Sequence, residues 1–383
     1  MDRPRTYQAP LPRTTPAERV GLTDEVRQNP LPGTFRWLPG VFLLLVLTLG
    51  VGAALLTPET WRWPREGSFL QGDQAASYER TFNGALPFKD AAVSAWGVLE
   101  YTLFHEGREG VVVGREGWLF TGEEVAFYRD AAAETARKLR FVEQVQRELA
   151  AQDVALVVAL IPDKSRVYAE FVGRPLPSYT RGRYEAFRRA LTAKGVLAPD
   201  LLAPLLNAKA DAQVYLRTDT HWTPAGAEVA ADTLARALMD VNVSGLFETE
   251  YQTETTGQKL YKGDLLNFLP LGALQSQLGP PPDRLEVRQT KAASDVGGGL
   301  FGAQTVPVTL VGTSYSANPN WNFAGALQGA LGADVLNLAT EGRGPLPPMR
   351  EYLGSPELRD TPPSLVVWEI PERYLSVTPE GID

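Results

Sequence analysis

The segment VALVVALIP, residues 154–162, is a continuous apolar run of the kind found in strands that are buried on both faces of a parallel sheet. In the preceding segment, residues 131–151, apolar side chains recur at spacings of three and four from Leu139 to Leu149, which predicts an amphipathic helix. A helix that leads directly into a buried strand indicates part of a βαβ unit.

The same alternation of helix and strand continues along the chain. Residues 180–195 and 224–240 have helical spacing, and Thr223 and Pro224 suit the cap and the first position of the second of these helices. Three short apolar runs predict strands at residues 305–312, 333–339 and 364–370, with the helix-like segment FAGALQGALG between the first two. This order predicts an α/β fold with a largely parallel sheet.

The stretch 248–302 departs from this pattern, because it is polar, is interrupted by Gly and Pro and has no clear period. We expect an excursion from the fold there and not a second core. Its glycine run at 297–299 lacks the Lys and Ser/Thr of a phosphate-binding loop, so we interpret it as a turn.

Composition excludes several classes of function. The 383 residues include 37 Lys and Arg and 45 Asp and Glu, a net charge of −8, and no basic run offers a nucleic-acid-binding surface. The absence of cysteine excludes disulfides, cysteine-based zinc sites and thiol nucleophiles. With only two histidines, His105 and His221, we expect neither a metal centre nor a cofactor, and we place His105 in an exposed loop.

Residues 37–56, WLPGVFLLLVLTLGVGAALL, contain no charge and match the length of a membrane-spanning helix. Residues 1–36 contain six arginines, so the positive-inside rule places this Pro-rich tail, which we expect to be disordered, in the cytoplasm. Residues 57–383 then form an exported domain anchored in the inner membrane and facing the periplasm. A cleaved signal peptide is the alternative, although its apolar core is usually shorter and closer to the N-terminus.

The segment RTDTHWTPAG, residues 217–226, holds the first candidate catalytic groups. If this segment is extended, the side chains of Asp219 and His221 point to the same face, and the carboxylate could orient the imidazole as a general base. The alternative is structural: Asp219 caps a turn, and His221 is a hydrogen-bonding residue before a helix.

A second segment, VTLVGTSYSANPN at residues 308–320, favours catalysis. It predicts a buried strand that ends near Gly312 and delivers Ser314 at a strand-to-loop turn, where its hydroxyl is exposed and its N–H can face an oxyanion. Ser316 is the competing nucleophile. Gly312 favours Ser314 as the nucleophile. It lies two residues before this serine, where a tight turn has little room for a side chain.

Six ordered segments, including these two, give the chain a resemblance to a known family. It resembles the SGNH-hydrolase-like domain of the alginate O-acetyltransferases AlgJ and AlgX over residues 88–375. The segments are VVVGREGWLF (111–120), LIPDKSRVY (160–168), RTDTHWTPAG (217–226), LVGTSYS (310–316), NLATEGRGP (337–345) and VVWEIPERYL (366–375). AlgX continues into a C-terminal carbohydrate-binding module that this sequence lacks, so the anchor and single domain are closer to the AlgJ branch.

The resemblance implies an SGNH-hydrolase-like three-layer fold and an enzyme that O-acetylates alginate or a similar exopolysaccharide. It places the nucleophile on Ser314, the base on His221 and the orienting carboxylate on Asp219. An arginine and a tyrosine near the family's active site fall on Arg343 and Tyr374. The resemblance also implies that a multi-pass membrane acyltransferase supplies the acetyl group.

The mechanism expected from these assignments passes through acetyl-Ser314. Backbone N–H groups near Gly312 and Ser314 would stabilise the oxyanion, assisted by Arg343 or Asn337. Because the chain is acidic, a polyanionic acceptor would need local arginines, and Arg217, Arg343 and Arg373 are the candidates. A carbohydrate acetylesterase with the same triad and a non-catalytic polysaccharide-binding export component are the alternatives.

Four further residues near these segments have two interpretations each. Lys164 and Arg166 follow the strand at 154–162 at its carboxyl end, where they could contact substrate or pair with surface carboxylates. Trp222 and Trp321 flank the two catalytic segments and could stack on sugar, but packing around the site is the commoner use of Trp.

Overall fold

The computed structural model describes residues 37–64, 66–293 and 306–378, in two compact units that divide between Ala92 and Val93. The N-terminal tail, residues 1–36, lies outside the described residues, and so does the glycine run at 297–299. The predictions of a disordered tail and of a turn therefore remain predictions.

The first unit contains the predicted apolar helix. This helix, α1, spans Leu38–Leu55, has a mean hydropathy of 2.3 and buries none of its side chains. At 1.5 Å per residue its 18 residues extend about 27 Å. Within the described part of the chain, α1 is the one helix with the length and composition of a membrane span. A 3₁₀ turn at Pro58–Trp61 and α2, Asp73–Ala85, follow it.

The rest of the described chain contains both helices and strands. The helices are α3 (Lys89–Leu99, continued by a π turn at Glu100–Phe104), α4 (Ala131–Ala150), α5 (Lys164–Val167), α6 (Ser178–Arg181), α7 (Arg183–Ala193), α8 (Leu202–Ala208), α9 (Pro224–Leu238), α10 (Gln275–Leu278), α11 (Ser314–Ala317), α12 (Phe323–Leu331), α13 (Leu346–Leu353) and α14 (Pro356–Asp360). The strands are β1 (Val111–Val113), β2 (Leu119–Thr121), β3 (Ala155–Ile161), β4 (Tyr251–Tyr261), β5 (Asp283–Ala292), β6 (Val308–Val311), β7 (Val335–Asn337) and β8 (Leu365–Pro371). Short 3₁₀ turns lie at Gly122–Glu124, Ala169–Phe171, Asp264–Phe268, Gly272–Leu274, Pro319–Trp321 and Glu372–Leu375.

Four strands form the central sheet, in the order β3-β8-β6-β7, and every neighbouring pair is parallel. The C-terminal strand β8 therefore lies between β3 and β6. Its register pairs Trp368 with Val158 on one side and with Val311 on the other. The carboxyl ends of β3, β6 and β8 consequently meet at one edge of the sheet.

The sheet is covered by helices on both faces. Alternate residues of β3 enter two separate cores: Val157 and Ala159 pack with residues of α9 and α12, and Val158 and Leu160 pack with residues of α4 and α7. Burying each such aliphatic side chain contributes about 1.5–3 kcal/mol, which explains why all six buried positions of the strand are apolar. The three-layer α/β fold is confirmed.

Local signals placed the start of α9 correctly. The Thr223 hydroxyl accepts a hydrogen bond from the Gly226 N–H, and Pro224 is the first residue of α9, as predicted. The predicted helix at 180–195 is instead divided into α6 and α7 at Gly182.

The stretch 248–302 contains regular structure that its sequence did not indicate. Strands β4 and β5 form a two-stranded antiparallel ribbon with a bulge between Thr255 and Gly257. Between its end residues β4 is exposed throughout, so it shows none of the apolar alternation that marks a half-buried strand. The excursion that we expected there contains this ribbon, which the sequence period did not reveal because cross-strand hydrogen bonds, and not burial, define most of it.

Candidate active site

The structure brings Asp219, His221 and Ser314 into one chain of hydrogen bonds. The His221 Nδ1 atom lies 2.6 Å from an Asp219 carboxylate oxygen, and its Nε2 atom lies 2.7 Å from the Ser314 Oγ. Asp219 is fully buried, whereas His221 and Ser314 are partly exposed. A carboxylate, an imidazole and a hydroxyl are therefore linked from the interior of the protein to its surface.

Asp219 and His221 lie on a tight loop and not on the extended segment that we expected. Tyr215 and Trp222 pair as an isolated antiparallel bridge, and the Leu216 N–H donates to the His221 carbonyl at 3.0 Å, which closes the loop. One carboxylate oxygen of Asp219 accepts from the His221 backbone N–H at 2.9 Å as well as contacting Nδ1. The two alternative roles of Asp219, turn cap and imidazole partner, are thus combined in a single oxygen atom.

The second carboxylate oxygen of Asp219 is held by the stretch 248–302. It accepts from the Asp264 N–H at 2.8 Å, while the Asp264 carboxylate accepts from the Thr220 N–H at 2.8 Å. Burial raises the pKa of Asp219, but the hydrogen bond and charge of His221 and the N–H groups outweigh it, so the pKa lies below its ordinary value. Burial and the Asp219 charge raise the pKa of Asp264. Asp219 is therefore ionised at neutral pH.

Lys164 binds backbone carbonyls of the same loop. Its side chain is fully buried, and its ammonium donates to the carbonyl oxygens of Leu119 at 2.5 Å, Asp219 at 2.8 Å and Arg217 at 3.0 Å. Burial lowers the pKa of Lys164 to about 8, although several neighbouring carboxylates oppose the shift. Both of our interpretations of Lys164 were wrong, because a buried ammonium bound to three carbonyls contacts neither substrate nor surface carboxylates.

Ser314 is the first residue of α11, directly beyond β6 and the two-residue turn Gly312-Thr313. The buried carboxylate of Glu369 holds this turn: it accepts from the Thr313 N–H at 2.7 Å and from the Thr313 hydroxyl at 3.0 Å. A Cβ atom at Gly312 would lie 2.5 Å from a Glu369 carboxylate oxygen, so the glycine makes room for this side chain. Burial raises the pKa of Glu369, against the effect of these hydrogen bonds.

The competing serine has a structural partner. Ser316 is buried, and its hydroxyl donates to Glu369 at 3.0 Å, away from His221. Of the backbone donors near the turn, the Thr313 N–H is committed to Glu369. The Ser314 N–H belongs to the first turn of α11 and has no intrahelical acceptor, so it is the donor that can face an oxyanion.

Trp321 packs against the imidazole of His221, and Trp222 packs against the neighbouring Tyr315. Trp321 stacks on His221, with ring centroids 5.1 Å apart and an angle of 19° between the planes, and its Nε1 donates to the Ser314 carbonyl at 3.0 Å. The Nε1 of Trp222 donates to the Tyr315 carbonyl at 3.2 Å. Both indoles are fully buried, so they pack around the site and do not offer a surface for sugar.

The remaining predicted site residues do not join the hydrogen bonds of the triad. Asn337 donates to the Ser316 carbonyl at 2.8 Å. Arg343 is exposed and forms an ion pair with Glu351, at 2.5 and 2.7 Å. Tyr374 packs beside Gly344, next to Arg343 in the chain.

Two arginines that we considered as substrate contacts form ion pairs within the protein. Arg166 forms a two-point ion pair with the buried carboxylate of Glu372, at 2.5 and 2.9 Å. Arg373 is itself buried; it pairs with Glu123 at 2.9 Å and lies over the rings of Tyr315 and Tyr374. Neither guanidinium is free to hold a polymer, so the expectation that Arg373 binds a polyanion was wrong.

Asp219, His221 and Asp264 place potential metal-ligand atoms within 4.8 Å of one another. Hydrogen bonds account for this cluster, because the His221 Nδ1 faces Asp219 at 2.6 Å and the two carboxylates accept backbone N–H groups.

His105, the other histidine, is an exposed loop residue with a left-handed backbone conformation, as expected for its position outside the site.

Our sequence analysis did not identify Lys164, Asp264 or Glu369 as supports of the site. Asp264 lies between the two strands of the ribbon, which have no readable period, and Glu369 lies inside an apolar strand where a carboxylate is an exception. That exception is the signal that could have identified Glu369, since a charge in a buried strand needs a specific partner.

Comparison with known proteins shows the family to which the chain belongs. Residues 111–372 match the family model described as "SGNH hydrolase-like domain, acetyltransferase AlgX". The chain is 46% identical over 310 residues to the "Probable alginate O-acetylase AlgJ" of Azotobacter vinelandii, covering 80% of each chain. It is 44% identical over 320 residues to the protein of the same name from Pseudomonas aeruginosa, covering 80% of this chain and 81% of that one.

Solved structures with the same fold include two relatives. The O-acetyltransferase domain of Pseudomonas putida AlgJ aligns with a TM-score of 0.64 at 43% identity, over 72% of this chain and 96% of that domain. Pseudomonas aeruginosa AlgX aligns with a TM-score of 0.55 at 26% identity, over 70% of this chain and 63% of that one. By sequence and fold, this chain is an O-acetyltransferase and belongs to the AlgX-type family of SGNH hydrolase-like acetyltransferase domains.

Proposed function

We propose that this protein O-acetylates an exported polysaccharide, with alginate as the acceptor, through an acetyl-Ser314 intermediate. The observation that carries the proposal is the hydrogen-bonded chain from Asp219 through His221 to Ser314. The names of the relatives support alginate as the acceptor, since the AlgJ proteins at 42–46% identity are described as probable alginate O-acetylases.

In the first half-reaction, His221 Nε2 removes the Ser314 proton while Oγ attacks the carbonyl carbon of the acetyl donor. The carbonyl electrons move onto oxygen, and the Ser314 N–H donates to this oxyanion. When the tetrahedral intermediate collapses, the bond to the donor breaks, and the leaving group takes the proton from His221. Asp219 remains ionised throughout and stabilises the imidazolium that forms.

In the second half-reaction, a sugar hydroxyl gives its proton to His221 and attacks the acetyl carbon. The bond to Ser314 breaks, and Oγ recovers the proton. Water could take the place of the sugar, which would make the protein an esterase. A docked glycan should react with the acetyl group faster than water does, because well-oriented groups reach effective molarities of about 10⁵–10⁸ M.

We further propose that Arg343, Tyr374 and Asn337 lie on the substrate side of the site. Arg343 is exposed, and its exposed ion pair with Glu351 contributes little stability, so the guanidinium can exchange this partner for a substrate group. Gly312 acts through the space that it leaves for Glu369 and through its place at the end of β6.

The proposed location is the inner membrane, with α1 as an uncleaved anchor, residues 1–36 in the cytoplasm and the catalytic domain in the periplasm. The unburied apolar surface of α1 supports this arrangement. Because the acetyl group originates inside the cell, a multi-pass membrane acyltransferase would supply it to Ser314.

The proposal is tested by incubating the full-length protein with p-nitrophenyl acetate and deacetylated mannuronate oligomers. We expect the acetyl group on the oligomer, detected by mass spectrometry, and no transfer by a Ser314→Ala variant. Release of free acetate with no acetylated sugar, for several acidic and neutral oligomers, would identify an esterase instead. An unchanged rate in the Ser314→Ala variant would remove Ser314 from the mechanism.

A further inference from the structure

A cavity of about 490 Å³ lies between the β4–β5 ribbon and the segment that begins with α11. Its volume falls within the range of ligand-binding pockets in proteins. Ser316, Ala317 and Asn318 line it, so the cavity begins within one helical turn of Ser314. The ribbon was not expected from the sequence, and the triad does not use this cavity.

The charge of the cavity is opposite to that of the whole chain. Its lining contains three cations, Lys259, Arg288 and Lys291, against the single carboxylate of Glu286, whereas the chain carries a net charge of −8. Arg288 is balanced by ion pairs with Glu286 and Glu228. Among the described residues, Lys259 and Lys291 form no ion pair. Their two positive charges are therefore available to pair with an anionic ligand.

The rest of the lining offers groups that recognise hydroxyls. Side-chain amides from Asn318, Asn320 and Asn337 line the wall on the side of α11, and Thr290 lies on the ribbon. Lys259 is held toward these amides by a hydrogen bond of 2.6 Å from its ammonium to the side-chain oxygen, Oδ1, of Asn320. Cations for carboxylates together with amides for hydroxyls are the donors and acceptors that a uronic-acid chain requires.

The ribbon also connects the cavity to the triad. Tyr261 follows Lys259 by two positions on β4, so the two side chains point to the same face of the strand. The Asp219 carboxylate is among the groups that raise the pKa of the Tyr261 hydroxyl, after burial, and the Tyr261 ring meets Trp321 edge to face at 5.5 Å. A polymer in the cavity would therefore continue along one strand toward His221 and Ser314.

We infer that this cavity binds a stretch of the acceptor chain and that Lys259 and Lys291 select a polyanionic, uronate-type polysaccharide. The inference rests on the proposed function, because it concerns the acceptor of the same reaction. It explains how a protein with an acidic overall charge could hold an acidic polymer, which would otherwise be repelled.

The test measures binding in a Ser314→Ala background, so that its result does not depend on catalysis. Full-length protein is titrated calorimetrically with mannuronate oligomers and with neutral glucan oligomers of equal length. We expect the mannuronate oligomer to bind more tightly, and we expect Lys259→Glu combined with Lys291→Glu to raise its Kd about ten- to hundredfold, the effect of losing charge-assisted contacts. Lys194→Glu is the matched control. Lys194 lies at the C-terminal end of α7 and outside the cavity, so this substitution should leave the Kd unchanged.

A second measurement needs no variant. Because exposed charge pairs are screened by salt, the Kd for mannuronate should rise between 0.05 and 0.3 M salt by about tenfold or less, while the Kd for the glucan stays constant. Equal Kd values for the double variant and the control, equal binding of the two oligomers or no binding at all would overturn the cavity assignment. Intact mannuronate binding together with no acetyl transfer by wild-type protein would instead overturn the proposed function.

Discussion

The Glu369 carboxylate accepts a hydrogen bond of 2.7 Å from the N–H of Thr313, the residue before Ser314. The sheet register produces this contact: β8 pairs with β6 up to Val311 and Trp368, so the next residue of β8 lies beside the turn that follows β6. A buried charge thereby holds the turn that presents the proposed nucleophile.

Glu369→Gln should keep the fold but lower the turnover of p-nitrophenyl acetate by about 10- to 100-fold, because a misplaced nucleophile loses its near-attack geometry. Loss of the charge-assisted hydrogen bonds should also lower the free energy of unfolding by about 1.5–3 kcal/mol. Ser316→Ala is the control, since it removes one contact of Glu369 and leaves the Thr313 contacts intact. Wild-type kcat in Glu369→Gln would contradict a positioning role.

Gly312→Ala should destabilise the protein by about 1–3 kcal/mol, measured by chemical denaturation, because the new methyl group would lie 2.5 Å from a Glu369 oxygen and 2.8 Å from its Cβ. Gly329→Ala, in α12, is the matched substitution. Its nearest neighbour is 3.9 Å away, so better helix propensity should stabilise the protein by about 1 kcal/mol. Equal effects of the two substitutions would show that space at Gly312 is not limiting.

Asp219→Asn should retain the fold and reduce kcat by about 10²–10⁴-fold, because an amide neither selects the required imidazole tautomer nor stabilises the imidazolium. Asp232→Asn makes the same chemical change at an exposed position of α9 and should leave kcat unaltered. Near-normal turnover in Asp219→Asn would remove this carboxylate from the mechanism.

Because the pKa of Lys164 is lowered by burial, we expect the free energy of unfolding to depend on pH. Its pKa is about 8 in the folded protein, whereas an unfolded lysine titrates near about 10.4. Below pH 8 both states hold the proton, so the lysine adds no pH dependence. Between pH 8 and about 10.4 the unfolded chain binds more protons, so the free energy of unfolding should rise with pH, by a few kcal/mol at most.

The measurement compares wild-type protein with Lys164→Met by chemical denaturation across this pH range. Lys138, whose pKa burial also lowers to about 8, is present in both proteins and cancels in the difference. The difference in unfolding free energy, wild type minus variant, should be constant below pH 8 and increase above it. A difference that stays flat or declines would show that the ammonium keeps its proton in the folded protein.

The proposed membrane topology is tested with a reporter that is active only outside the cytoplasm, fused after residue 383. We expect an active reporter and a protein that sediments with membranes, because the arginines of residues 1–36 hold that end in the cytoplasm. A soluble product that begins near Thr57 would mean that α1 is part of a cleaved signal peptide.

The sequence alone determined the features that depend on near neighbours. Apolar spacing identified β3 and α4, and the Thr223-Pro224 pair identified the start of α9, because periodicity and capping act within a few residues. The motifs also singled out Asp219, His221 and Ser314 as a set, although 93 residues separate the last two.

The tertiary structure decided which groups support that set. Glu369 lies 56 positions from Thr313, Lys164 lies 55 from Asp219, and Asp264 lies 45 from Asp219. Each of these partners reaches the site only through the strand order β3-β8-β6-β7 or through the ribbon of β4 and β5. Local sequence does not encode such contacts, because a buried charge is stabilised by whichever distant backbone groups the packed fold places around it.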